Sequence, residues 1–221
     1  MPAAPTLPDR APKPRLRGVL HQYAFFGALA AAAALVSSAR GGRATLAAVV
    51  YGASLAALFG VSALYHRVTW SERARRWMGR LDHAMIGLLI AGTFTPFGLL
   101  VLADTPAGAV LPVVWIGALA GIALHVLWID APKWLSAVVY VAVGWSGLLA
   151  FPHLVSRLGW TPAALLALGG ALYSAGALVY VLRRPNPAPG VFGYHEIFHA
   201  FVVAAAVTHY AVVAVYVLPS A

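Results

Sequence analysis

Of the chain's 221 residues, 62% are hydrophobic and only 10% are charged, whereas a soluble domain carries roughly 25% charged residues; this composition excludes a water-soluble globular protein and points to a membrane protein. Its 15 Lys and Arg outnumber 6 Asp and Glu, but they sit in short connections and at the N-terminus, where they orient membrane helices and attract anionic headgroups, so nucleic acid is not an implied partner. There is no cysteine, which rules out disulfides and thiolate metal sites and leaves any transition metal to His, Asp or Glu.

Residues 1–17 are rich in Pro and basic residues, have no apolar periodicity, and predict a disordered basic cytoplasmic tail. A cleaved signal peptide fits less well, because the apolar run starting near Tyr23 is long enough to span and shows no convincing cleavage site. Residues 18–221 then form a single all-α membrane domain. A hydrocarbon core about 30 Å thick needs roughly 20 apolar helical residues. The predicted spans are 20–38, 44–66, 81–102, 108–129, 134–151, 161–182 and 192–217. Turn chemistry marks the breaks at Arg40-Gly41-Gly42-Arg43, Asp104-Thr105-Pro106, Asp130-Ala131-Pro132 and from Pro185 to Gly190. Lys and Arg divide 12 to 3 between the two sides. That bias predicts a seven-transmembrane helix bundle with a cytoplasmic N-terminus and an outside C-terminus.

Ionisable residues inside membrane spans are costly and are functional candidates by default. His195 and His199 open the seventh span and, at i and i+4, share a helix face suited to joint binding of one metal ion. His66 closes the second span with Ser62 one turn earlier, and Asp82 opens the third. The predicted topology brings all of these to one depth near the cytoplasmic face. Three neutral imidazoles with an open fourth position for water make the pattern of a catalytic zinc site. Asp82 is placed to orient or deprotonate that water, and Ser62 to supply a hydrogen bond. A lone membrane histidine reads as packing; three at one depth beside an acid read as a Zn2+ site.

The segments Ser62-Ala63-Leu64-Tyr65-His66, Leu81-Asp82-His83, Gly92-Thr93-Phe94-Thr95-Pro96 and Tyr194-His195-Glu196-Ile197-Phe198-His199 resemble the bacterial hemolysin III proteins. These belong with the progestin and adiponectin receptors and are related to the alkaline ceramidases. The resemblance covers about residues 18–217 in order, spacing and helix number. It implies seven helices, a cytoplasmic N-terminus, a bacterial inner (plasma) membrane location, and zinc held by His66, His195 and His199 with a water contacted by Asp82. Ser62 takes the supporting place, and the sequence departs from the pattern at none of these five positions. The short tails lack the extended N-terminal region of the animal receptors, so hormone binding is not implied.

The segment His195-Glu196-Ile197-Phe198-His199 also fits H-E-x-x-H, in which the Glu is the general base of a metalloprotease. That class needs a third ligand downstream, and no Asp or Glu follows Glu196, so Glu196 reads as a helix-start or supporting residue. Of the remaining candidates, His83 is expected to face a loop or neighbouring helix and His125 to line a cavity. His209 is expected to be packed and hydrogen-bonded, and Thr93, Thr95 and Pro96 to form a kink in which a threonine serves the carbonyl freed by the proline. Functionally, the sequence points to a zinc-dependent hydrolase of a lipid amide or ester, with membrane lipids as partners. The competing reading is a non-enzymatic regulator of membrane lipid homeostasis with structural zinc. A pore-forming hemolysin fits poorly, since no span carries a continuous polar lining.

Overall fold

The computed structural model describes residues 13–128 and 132–220. Most of the expected tail, the end of the fourth predicted span at residue 129 and the Asp130-Ala131 turn lie outside the described residues. Among the described residues, seven helices are long and apolar enough to cross a membrane, and there is no β-strand. They are α1 Val19–Ser38, α2 Gly42–Arg67, α3 Glu72–Val101, α4 Pro106–Leu127, α5 Trp134–Leu158, α6 Trp160–Leu182 and α7 Tyr194–Ser220. The protein is an integral membrane protein. Successive helices pack side by side, and α7 also returns to α1, so the beginning and end of the bundle meet.

Small residues set how closely these helices approach, as membrane interfaces require when no hydrophobic force drives helix to helix. A Cβ on Gly92 of α3 would lie 2.1 Å from the Ser54 hydroxyl of α2. The core gathers around Tyr51, Leu58, Phe59, Leu89, Val202 and Val212. Large apolar side chains such as Ile116, Leu149 and Val207 face outward, where lipid rather than water receives them.

Two boundaries differ by more than three residues from those read in the sequence. Helix α3 starts at Glu72 rather than near residue 81, because the Ser71 side chain caps it by accepting from the Ala74 N–H and Glu72 occupies its first turn. Its extra turns carry Arg73, Arg75, Arg76 and Arg80, with the Arg80 guanidinium 4.3 Å from the Trp77 ring centroid. Asp82 therefore lies well inside α3 rather than at its start. Helix α5 runs on to Leu158 through a tighter 3₁₀ stretch at Ser146–Ala150.

At the kink, Pro96 is followed by a π-helical turn over Phe97–Val101. The threonine hydroxyls do not go to Gly92, the carbonyl four residues before the proline. Thr93 donates to Leu89 and Thr95 to Ala91, and the widened turn absorbs the break instead.

Candidate metal centre

The last turn of α2 carries His66, and the first two turns of α7 carry His195 and His199. The α7 start is fixed by the preceding loop. Asn186 accepts from the Tyr194 N–H at 3.0 Å, and Glu196 folds back to accept from the Gly193 N–H at 2.8 Å. That cap aims the first turns of α7 at the end of α2. The Nε2 atoms of His66 and His195 are 3.1 Å apart. Among the described residues, His66, His195 and His199 form the one group of three whose donor atoms, all within 4.8 Å of one another, can hold a metal ion.

The donor set fits zinc. A tetrahedral shell with Zn–N of about 2.0–2.1 Å puts neighbouring nitrogens roughly 3.4 Å apart, close to the gap found between His66 and His195. Neutral imidazole lone pairs turned toward each other at that distance repel unless a proton or a cation lies between them. The Asp82 carboxylate lies 3.8 Å from His66 Nε2, and Ser62 stands beside it one turn before His66. The structure thus brings together all five residues singled out in the sequence.

It also adds residues that the sequence reading missed. His21, near the start of α1, stacks on the His199 ring with centroids 3.7 Å apart and planes 10° apart, and it is almost fully buried. The depth argument that placed Asp82 would have found His21, a buried titratable residue at the same end of a span. Arg17 donates from Nε to Glu196 Oε1, and Lys13 donates from Nζ to the His66 carbonyl. Gly18, with φ +81°, lets this N-terminal turn pass His66; a Cβ there would lie 2.5 Å from the His66 Cβ. Arg15 and Leu16 donate their backbone N–H groups to Gly190 and Val191. The end of the expected tail is therefore tied across the site. Burial and then the Arg75, Arg17 and Arg67 cations lower the Lys13 pKa from its usual value.

Glu196 is 1% exposed, and both its oxygens are taken by these partners. It is a helix-start residue held by Arg17, not a group facing the three histidines. His83 turns to α6, its Nε2 3.3 Å from the Tyr180 hydroxyl, and His209 Nε2 meets the Leu166 carbonyl at 3.1 Å. A cavity of about 740 Å³ runs from His195, His199, Asp82 and the Arg75–Arg80 turn past Leu89, Phe94 and Leu154 to His209. His199 and His209 both line it, so it reaches roughly 15 Å along α7. Its interior is largely apolar, and His125 is on its wall.

Residues 10–210 match the family described as Haemolysin-III related. The chain belongs to this family. It is 34% identical over 154 residues to a hemolysin-3 homolog of Bacillus subtilis, covering 70% of this chain and 69% of that protein. It is 32% identical to hemolysin-3 of Bacillus cereus, covering 80% and 78%. An adiponectin receptor protein of Drosophila melanogaster shares 35% over 170 residues, 68% of this chain and 38% of the receptor. The family match spans all three histidines, and the more distant adiponectin receptor extends the resemblance read from the motifs.

Proposed function

We propose that this haemolysin-III protein is a zinc-dependent hydrolase of a lipid amide or ester, working at the cytoplasmic face of a bacterial inner membrane. One observation carries the reading: three convergent imidazoles stand beside a carboxylate, and two of them, His195 and His199, line one end of a largely apolar cavity together with that carboxylate. His66, His195 and His199 hold the ion, which when bound polarises a carbonyl and makes water acidic. Asp82 accepts the proton of the attacking water at its carboxylate and returns it to the leaving amine or alcohol. Ser62 keeps that carboxylate oriented. Leu89, Phe94 and Leu154 receive the acyl chain and keep bulk water from the far end. Glu196 has no part in proton transfer, since Arg17 and the Gly193 N–H occupy it; this weighs against a protease.

The test is mass spectrometry of lipid amides and esters incubated with zinc-loaded protein. Asp82→Asn retains zinc and loses about 10²–10⁴-fold in rate, the usual share of a general base. Full turnover in that variant overturns the reading. A second reading, a regulator in which zinc pins α2 to α7, is favoured by the 3.1 Å approach of His66 and His195 across those helices. It predicts that Asp82→Asn leaves the cellular effect intact while loss of zinc abolishes it.

A further inference from the structure

Away from the three histidines, the cavity wall made by α4 and α5 carries an unusual cluster. His125 Nε2, Ser136 Oγ and Tyr140 OH are all buried, and none has a hydrogen-bond partner among the described residues. All three residues line the cavity. Ser136 and Tyr140 are only 7% and 6% exposed, and at i and i+4 they share one face of α5. The Tyr140 ring lies 5.5 Å from the His125 ring, nearly parallel to it.

The tyrosine sits in a seat made for its ring. A Cβ on Gly87 of α3 or on Gly121 of α4 would come within 2.9 or 2.8 Å of Tyr140 Cε1. Packing alone would be served by Phe at 140 and Ala at 136, without leaving hydroxyls unpaired on a largely apolar wall. Buried polar groups without partners cost free energy and call for a ligand or water to satisfy them.

A line of rings leads from the metal centre to this niche. Tyr180 is 5.6 Å from His195 and 6.4 Å from His83; His83 is 5.3 Å from His125. His125 lies near the end of α4 and Ser136 near the start of α5, so the niche faces the same end of the cavity as the histidines, displaced sideways. Two of the three orphaned groups are uncharged hydroxyls, and a hydroxyl can donate or accept, as an imidazole nitrogen can according to its tautomer. Charged headgroups are better served by Arg75, Arg76 and Arg80, which line the same end. Hydroxyls are what Ser, Tyr and imidazole pair with reciprocally.

We propose that His125, Ser136 and Tyr140 form a second polar subsite that binds the hydroxyl-bearing head of an uncharged lipid whose chain occupies the cavity. It names the headgroup class of the substrate and rests on the hydrolase reading for the reaction, though not for the binding.

The experiment measures affinity of the full-length protein in nanodiscs for hexadecyl glycerol ether and for hexadecyl methyl ether. Neither has an amide or ester bond, so binding is read apart from hydrolysis. The wild type binds the glycerol ether roughly 10–100-fold more tightly, the worth of two or three neutral hydrogen bonds. Ser136→Ala with Tyr140→Phe removes most of that preference, leaves methyl ether affinity unchanged, and leaves thermal stability equal or higher. Ser136→Ala alone gives a smaller loss of the same selectivity and carries the test if the double variant does not fold. Equal wild-type affinity for the two ethers overturns the subsite, as does a variant that weakens both alike or melts lower. Preference without any lipid hydrolysis sinks only the hydrolase reading; hydrolysis without preference sinks only the subsite.

Discussion

Glu196→Gln separates stability from chemistry at this site. The carboxylate is 1% exposed and its partner Arg17 is 19% exposed. A hydrogen bond to a charged group contributes about 1.5–3 kcal/mol, and removing one member of a fully buried ion pair costs about 3–5 kcal/mol. Arg17 can rehydrate in part, and a glutamine oxygen can still accept from the Gly193 N–H. The expected loss is therefore near the lower range, about 2–3 kcal/mol. Equilibrium unfolding in mixed micelles measures it, alongside zinc content and lipid hydrolysis on the same samples. Zinc stays bound and the rate of the folded protein changes little. Arg17→Gln behaves alike, and the double variant loses less than the sum, with a coupling of about 1–3 kcal/mol. A Glu196→Gln protein as stable as wild type but slowed a hundredfold would make Glu196 the base and refute this assignment.

The purified protein is expected to carry about one zinc per chain, and His66→Ala, His195→Ala or His199→Ala should each lose most of it by elemental analysis. His21→Ala weakens zinc binding roughly 10-fold, the lower end of what groups supporting metal ligands contribute, while His21→Phe keeps the stacked face and most of the affinity; equal affinity for both variants and wild type would remove His21 from the site. A reporter fused after Ala221 is active only outside the cytoplasm and one fused before Pro2 only inside; both ends on one side would undo the orientation drawn from the 12 to 3 division of basic residues.

The seven helices were legible because long apolar runs in a chain without insertions leave few alternatives, and the metal candidates because two histidines at i and i+4 are a local pattern. The start of α3 was not. Hydropathy sees only the membrane core, whereas the Ser71 cap and an arginine-rich turn extend the helix beyond it. Arg17 and Glu196 are 179 residues apart, and no sequence rule pairs them before the fold does. His21 stood alone at the edge of the first span, where a single histidine resembles packing. Ser136 and Tyr140 look like ordinary helix residues; only the absence of partners on a cavity wall distinguishes them.

The cluster joins parts of the chain made at very different times. His66 and His195 are 129 residues apart in sequence, and at about 5–20 residues per second a ribosome takes several seconds or more to travel between them. His66 enters the membrane as a single imidazole with no second donor from α7 to share an ion. Only when the last helix has been inserted and has docked against the first two is the triad complete. Any metal loading at this triad would thus be a terminal event of biogenesis, and a chain cut short before α7 lacks two of the three donors.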